Sequence, residues 1–213
     1  MSELAAANLQ IAEEVLLNRR SCRKFVSGAR IPEEDILRLV AAGVHAPCGS
    51  NSQNVRFLAI TDAEEIARLG ALKTPKALMR SAAAWIVVFT DQHVHKGYPE
   101  SEHVIWSKLW TQNAAAAVQN ILLLATAMGH GSCWISFVPE MNKTRLTSGV
   151  DIHTELFKDY VVPAHYAVRG LVLLGVPQTR DALGYPAGDE IHGGKPVKRQ
   201  PIEAYTIKKR GAQ

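Results

Sequence analysis

Four cationic side chains lie within six positions near the start of the chain, in the stretch NRRSCRKF. The cations are Arg19, Arg20, Arg23 and Lys24, and Ser21 lies among them. A charge run taken alone is most often a solvated surface patch. Guanidinium groups and a hydroxyl are also the groups that bind phosphate, because their N–H and O–H donors match its oxygens. The i, i+4 spacing of Arg19 and Arg23 suits one face of a short helical turn.

Two further polar stretches could bind the same anion or the rest of the molecule that carries it. The loop APCGSNSQN, residues 46–54, offers amide and hydroxyl groups from Ser50, Asn51 and Gln53. The tail GGKPVKRQPIEAY, residues 193–205, carries Lys198 and Arg199, which could close a phosphate clamp from the other side.

Several well-known sites are not indicated. The sequence has no GxGxxG after a strand and no GxxxxGK[ST], so neither a dinucleotide-binding fingerprint nor a P-loop is signalled. His93 and His95 lie two apart in a polar stretch without suitably spaced partners, which argues against a metal site. The three cysteines form no CxxC pair, which argues against a disulfide framework or zinc and favours a reducing compartment. A Cys–His nucleophilic pair through Cys48 or Cys133 stays open, although a buried inert cysteine is the commoner case.

The elements that must position these residues are visible in the apolar periodicity. Helices are predicted over residues 3–18, from Pro32 to about Ala46, and over residues 110–128. The core face of the second helix is predicted to comprise Ile36, Leu37, Leu39, Val40 and Val44. Strands are predicted over residues 55–61, 84–90, 132–138 and 166–175. The 84–90 strand is apolar throughout and is expected to be buried on both faces. The third helix is apolar nearly all round, so it is predicted to be a core helix, and Gly129 and Gly131 end it. Interspersed helices and strands indicate an α+β or α/β class with one sheet flanked by helices.

Length and composition favour one globular domain spanning residues 1–213. The chain is 47% hydrophobic and 21% charged, with a net charge of +4. The N-terminus carries acidic residues and no basic start of a signal peptide, and no apolar run is long enough to span a bilayer, so a cytoplasmic protein without membrane contact is expected. Residues 92–110 are interpreted as a lid or wall in which Tyr98, Trp106 and Trp110 stack on a ligand or pack in the core. Residues 139–165 are expected to shape the substrate space, and residues 184–213 are expected to form an extended tail.

Taken in order, these stretches resemble the FMN-dependent nitroreductase family, or NAD(P)H:flavin oxidoreductases. The similarity rests on the RRSxRxF-like opening, the loop at residues 46–54, the helix NAAAAVQNILLLATAMGHGSCW at residues 113–134 and the basic tail, and it covers about residues 15–207. The resemblance implies an α+β fold with a central, mostly antiparallel sheet flanked by helices, in an intertwined homodimer with FMN sites at the interface.

The resemblance also implies which residues bind the cofactor. Arg19, Arg20, Ser21 and Arg23 would bind FMN, with Arg199 and Lys198 at its phosphate. The loop residues Pro47, Cys48, Gly49, Ser50, Asn51 and Gln53 would reach the flavin ring from the other subunit. Gly131 and Ser132 would lie against the ring, although the glycines also serve as a plain helix stop.

Three positions depart from the family pattern. Cys48 replaces a common serine, and because a thiol is a weaker donor, any hydrogen bond from this side chain to the flavin is expected to be weaker than that of the serine. Asn113 stands where an aspartate is usual. Asn54 and Val55 replace the Pro-Trp that often follows the loop glutamine.

The activity implied is electron transfer from NAD(P)H through FMN to an electron-poor small molecule, such as a nitroaromatic or a quinone, by a ping-pong mechanism with no catalytic side chain. The hard chemistry belongs to the cofactor, and hydride passes to the flavin N5. The first alternative is a flavin-dependent dehydrogenase or dehalogenase that acts on one metabolite with little NAD(P)H use. The alternative from another class is a basic nucleic-acid-binding protein, for which no reader motif is present.

Overall fold

The described part of the chain folds around an antiparallel sheet of four strands. The computed structural model describes residues 2–72, 76–93, 103–136, 158–180 and 184. The strands are β1 (Val55–Ile60), β2 (Ala84–Asp91), β3 (Gly131–Ser136) and β4 (Tyr166–Gly175). The helices are α1 (Glu3–Asn18), α2 (Glu33–Val44), α3 (Ala63–Gly70), α4 (Lys76–Ser81) and α5 (His103–Ala127), and Gly49–Asn51 form a 3-10 turn. All four predicted strands are therefore confirmed.

The strand order is β1-β2-β4-β3, and every neighbouring pair is antiparallel. All eight residues of β2 are buried, which confirms the prediction from its unbroken apolar run. Among the strands that the structure describes, β1 and β3 are the two at the edges. This order matters for the candidate site, because different parts of that site are attached to different edges.

Two hydrophobic cores lie on the two faces of the sheet. Successive residues of a strand point to opposite faces, so Trp85 and Val87 enter one core while Ile86 and Val88 enter the other. The first core is completed by α3 and α4, through side chains that include Ile66, Leu69, Leu78 and Met79. The second is completed by α2 and α5, through side chains that include Ile36, Leu39, Val118 and Ile121.

The first two helices agree with the prediction in extent but not fully in packing. Helix α1 covers the predicted residues, yet none of its side chains is buried. In α2, Ile36 and Leu39 are buried, but Leu37 and Val44 are 63% and 65% exposed, so the prediction that both belong to the core was wrong. Leu37 and Val44 are seven residues apart and share a stripe of the helix that faces away from the sheet.

Helix α5 begins at His103, seven residues before the predicted start. Residues His103 to Trp110, interpreted as part of a lid or wall, are therefore helical, and Trp110 is only 5% exposed, which favours core packing over stacking on a ligand. The predicted helix stop is confirmed, since Gly129 has a φ of +75° directly after α5.

Helices α3 and α4 were not predicted from the sequence. Each is at most eight residues long, which leaves too few turns for a clear helical period. Several predictions fall outside the described residues. They concern Tyr98, the predicted tail beyond Gly184 and most of the 139–165 stretch. Within the ranges that the structure covers, none of the helices has both the length and the hydropathy needed to cross a bilayer.

Candidate functional site

The segment that carries the arginines is anchored along one corner of the sheet. Ser21 forms a parallel bridge with Ser132 at the start of β3, and the Cys22 N–H donates to the Ser132 carbonyl at 2.8 Å. Further along, Phe25 forms an antiparallel bridge with Pro177, just beyond β4. The fold thus brings together two parts of the predicted cofactor site, residues 19–23 and Gly131–Ser132.

The cations of this segment have different surroundings. The Arg20 guanidinium donates to the carbonyls of Leu17 and Arg19 and therefore caps the C-terminal end of α1. Arg23 donates to the Ser21 carbonyl at 3.4 Å, and its side chain, like that of Arg19, is half-buried. Arg19 and Arg23 are thus less exposed than Arg20, and the phosphate role of all three stays a prediction.

Ser132 is the residue of this corner whose polar group lacks a partner. It is 2% exposed, and its hydroxyl makes no hydrogen bond to any residue that the structure describes. A buried hydroxyl without a partner costs free energy. Its position beside a cationic segment indicates a ligand that completes it.

Gly131 allows the close approach on which this corner depends. A Cβ at Gly131 would lie 2.8 Å from the Cys22 sulfur and 3.1 Å from the Phe25 ring. The glycine therefore has a packing role between β3 and the arginine segment, in addition to its place after the helix stop.

The loop at residues 47–53 forms the second part of the predicted site. Ser50, Asn51 and Gln53 all have positive φ values, between 45° and 51°, and all three are exposed. Non-glycine residues in this conformation carry strain that the surrounding structure must support, and such strain is concentrated at functional sites. Inside the loop, the Gln53 N–H donates to the Cys48 sulfur at 3.3 Å, so the thiol helps to close the loop.

Asn113 on α5 holds this loop, and the sequence analysis did not identify it as a site residue. Its Oδ1 accepts from the Gly49 N–H at 2.8 Å, and its Nδ2 donates to Ser52 and Asn54, each at 3.0 Å. The available signal was a carboxamide inside an otherwise apolar helix face, since a polar side chain buried there needs partners.

Within one chain, the arginine segment and the loop lie at opposite corners of the sheet. The loop leads into β1 at one edge, while Ser132 begins β3 at the other, and three strand spacings amount to roughly 14 Å. Helix α5 gives a second measure, because the loop rests on Asn113 and the turn to Ser132 follows Ala127, roughly 21 Å along the helix axis. One chain therefore presents the two parts of the site in different places.

An apolar groove lies between the helices that lead to these two parts. It is formed by α1, α2 and α5, has a volume of about 510 Å³ and is lined by side chains that include Ile11, Val15, Leu16, Leu123 and Leu124. Helix α1 runs into the arginine segment, and α2 runs into the loop. On α1, Leu4, Ile11 and Leu17 are between 61% and 72% exposed. Helix α1 therefore leaves apolar side chains exposed that no other described part of this chain covers.

Other candidate groups do not assemble a catalytic centre in the described residues. The rings of His93 and His165 stack at 3.8 Å beside Asp91, and no group of His, Cys, Asp or Glu within the described ranges could hold a metal ion. Cys22 and Cys133 are buried thiols without disulfides. Lys198 and Arg199 lie outside the described residues, so their predicted phosphate contacts stay predictions.

The comparisons with known proteins agree on one family. The model of the nitroreductase family matches residues 16–75 and 73–163. A protein of Archaeoglobus fulgidus, provisionally named an NADH dehydrogenase/NAD(P)H nitroreductase, is 30% identical over 179 residues, which is 84% of this chain and 92% of the relative. The NADPH-flavin oxidoreductase of Vibrio harveyi is 30% identical over 125 residues, 57% of this chain and 52% of that protein.

Solved structures confirm the predicted fold. An FMN-dependent nitroreductase of Clostridium difficile matches with a TM-score of 0.62 at 22% identity, over 78% of this chain and 88% of that one. The NADPH:FMN oxidoreductase of Vibrio harveyi, solved with NAD+, matches with a TM-score of 0.68 at 22% identity, over 95% of this chain and 79% of the other. A mostly antiparallel sheet flanked by helices is thus the shared architecture.

Proposed function

The chain belongs to the nitroreductase family, and we propose that it is an FMN-dependent oxidoreductase that takes electrons from NAD(P)H and passes them to an electron-poor small molecule. The names of its relatives support the cofactor and the electron donor. A nitroaromatic or a quinone is the acceptor class that we propose, because such molecules are flat and readily take up electrons.

One observation of this chain carries the proposal: a buried hydroxyl without a partner, Ser132, lies where the arginine segment joins the sheet. This combination fits FMN, which has a doubly charged phosphate and a flat ring with a polar edge. Guanidinium groups suit the phosphate, and a hydroxyl can donate to or accept from a ring edge.

The residues of this chain bind and orient the cofactor. We propose that Arg19 and Arg23 bind the phosphate, together with Lys198 and Arg199 of the tail. Bound FMN supplies the electron chemistry, and the protein tunes it through hydrogen bonds and charge near the ring. The half-buried position of Arg19 and Arg23 limits water around the anion and strengthens their attraction to it.

Donor and acceptor are proposed to use the same space in turn, which gives ping-pong kinetics. The absence of a GxGxxG fingerprint fits this, because the nicotinamide donor needs only a transient place beside the ring. Initial rates at varied NADPH and acceptor concentrations should give parallel double-reciprocal lines, and intersecting lines would contradict the shared space.

The active form is proposed to be a homodimer in which the loop of one chain completes the site of the other. The separation of the two parts within one chain supports this arrangement, since a loop roughly 20 Å from the arginine segment cannot reach the same ring. The apolar groove of α1, α2 and α5 supplies surface for the partner to cover. Large exposed apolar patches typically mark such interfaces.

Purified protein tests the proposal most directly. We expect a yellow protein, or a colourless one that becomes yellow and retains FMN after gel filtration, and NADPH oxidation that depends on a nitroaromatic or a quinone. Retained FMN without such turnover would favour a dehydrogenase or dehalogenase dedicated to one metabolite. Absence of FMN binding would refute the proposal, and binding to nucleic acid that weakens steeply with salt would replace it.

A further inference from the structure

We propose that Asn113 and Asn54 form a coupled carboxamide pair that positions the cofactor-facing loop, residues 47–53, so that Asn113 is a positioning residue for the proposed flavin site. The inference rests on the proposed function for what the loop faces, but its physical basis is a hydrogen-bond network inside one chain. Both residues are almost completely buried, with 4% and 0% of their surface exposed.

The direction of every hydrogen bond in this network is fixed by one backbone donor. The Gly49 N–H can only donate, so the Asn113 atom at 2.8 Å from it must be the oxygen. The Asn113 amide nitrogen therefore faces Ser52 and Asn54, each at 3.0 Å. Asn54 must then present its own oxygen, which also accepts from the Ser52 hydroxyl at 3.3 Å.

This network spans the strained part of the loop. Its contacts at Gly49, Ser52 and Asn54 enclose Ser50, Asn51 and Gln53, the three residues with positive φ. Asn54 is in turn fixed to the sheet, because its carbonyl accepts from the Asp91 N–H at 2.8 Å. Asn113 thus connects the loop to α5, and Asn54 connects it to β2.

The two residues of the pair also coincide with two departures from the family pattern, an asparagine in place of aspartate at 113 and in place of proline at 54. An aspartate at 113 could only accept hydrogen bonds, so it would oppose the Asn54 oxygen. The Asn54 Nδ2 is buried and has no acceptor among the described residues. Rotation of the Asn54 amide by 180° would turn this nitrogen toward a carboxylate at 113.

This leads to a double-mutant test with an unusual pattern. Asn113→Asp alone should be tolerated through rotation of Asn54 and should bind FMN about as tightly as wild type. Asn54→Asp alone should bind FMN about fivefold more weakly, because Asn113 and Ser52 donate to one oxygen of the new carboxylate while the other takes the buried position of Nδ2, which has no partner among the described residues. The double variant places two carboxylates in contact with one hydroxyl proton between them, and at about pH 8 it should bind FMN about thirtyfold more weakly.

The FMN affinity of the double variant should return to that of wild type at acidic pH. Two carboxyl groups in contact share a proton at a raised pKa, and the protonated one becomes a donor that restores the network. FMN affinity relative to wild type at the same pH should therefore recover as the pH falls to about 5.5. A structural defect elsewhere would give no such recovery.

Loop order is measured separately, by hydrogen exchange of the peptide that spans residues 47–54 in protein without FMN. We expect the fastest exchange in the double variant at about pH 8, a smaller increase in Asn54→Asp and near wild-type exchange in Asn113→Asp. Thr126→Val is the matched control, because it removes a buried hydrogen bond of α5 to the Leu122 carbonyl without touching the loop. It should lower the melting temperature and leave FMN affinity and loop exchange unchanged.

The outcomes separate this inference from the proposed function. Wild-type protein that does not bind FMN refutes the function, while the exchange data still decide whether the pair orders the loop. If wild type binds FMN but the effects of the two substitutions simply add, or if loop exchange rises without a change in FMN affinity, Asn113 and Asn54 do not position the loop for the cofactor.

Discussion

At the scale of single residues, the cations of the arginine segment have different surroundings. Arg20 caps α1, whereas Arg19 and Arg23 are half-buried near the corner that holds Ser132. The charge run is therefore more than a solvated patch, and its members should respond differently to substitution.

Arg23→Ala should lower FMN affinity by about tenfold or more, because it removes charge-assisted hydrogen bonds to a phosphate. Equilibrium dialysis or quenching of flavin fluorescence measures the change. Lys24→Ala is the control, since it removes a neighbouring exposed cation. Equal affinity of the Arg23 variant and wild type would contradict the phosphate role.

Ser132→Ala should separate ligand binding from stability. The Ser132 hydroxyl has no partner in the described structure, so its removal should leave the melting temperature of FMN-free protein unchanged or slightly higher. FMN affinity should fall by about fivefold, the equivalent of one hydrogen bond. In Ser81→Ala, by contrast, the lost bond to the Leu78 carbonyl should destabilise the protein by about 1 kcal/mol with no effect on FMN. If FMN-free Ser132→Ala protein melts at a lower temperature than wild type, the hydroxyl has a partner within the protein, which would contradict its role in binding a ligand.

At the scale of elements, the close contact between β3 and the arginine segment depends on Gly131. In Gly131→Ala the new methyl group would overlap the Cys22 sulfur, which should lower the free energy of unfolding by about 1–3 kcal/mol. FMN binding should weaken as well, because Ser21 and Ser132 move apart. Adding Cys22→Ala removes the atom in closest conflict, so urea unfolding of the double variant should show a less than additive loss. Strict additivity would rule out this contact as the cause.

The segment before β4 contacts α3, and ionisation of Tyr160 in this segment should lower the stability of the protein at alkaline pH. Arg68 of α3 contacts both Glu65 and Asp159. Burial, followed by the charges of Glu65 and Asp159, raises the pKa of Tyr160 above its usual 10.0. Because its pKa is raised in the folded state, Tyr160 contributes stability that is fully present below pH 10 and is lost as the pH rises through the pKa of the folded protein. Tyr160→Phe should flatten that alkaline loss in thermal unfolding curves, and an unchanged slope above pH 10 would contradict it.

The sequence predicted the elements well where the apolar pattern was strong. Strand β4 has the predicted bounds, because its long apolar run begins after His165 and ends at Gly175, shortly before Pro177. Leu37 and Val44 were misplaced because periodicity identifies an apolar stripe but not the surface that covers it. Asn113 was missed as a site residue for a similar reason, since its three partners are about sixty positions away in the sequence. Contacts at that distance depend on the fold and not on local pattern.

At the scale of the whole molecule, the separation of the two site parts predicts complementation between chains. A chain with Arg23→Ala and a chain with Asn51→Ala should each bind FMN poorly when purified alone. When the two variants are mixed, unfolded and refolded together, random pairing makes half of the dimers mixed. Each mixed dimer has one intact site of two, so about one quarter of wild-type binding should return. No recovery in the mixture would show that each chain builds its site alone.

The position of the loop and the arginine segment at opposite corners of the sheet has a consequence in dilute solution. In the proposed homodimer, a chain separated from its partner keeps its guanidinium groups but lacks the partner's loop at its own site, so cofactor occupancy should decline as the protein is diluted below the concentration at which the chains associate. Linkage makes the effect reciprocal, so the flavin nucleotide should hold the two chains together. Supply of the vitamin from which that nucleotide is made would then govern how many assembled enzymes a cell contains.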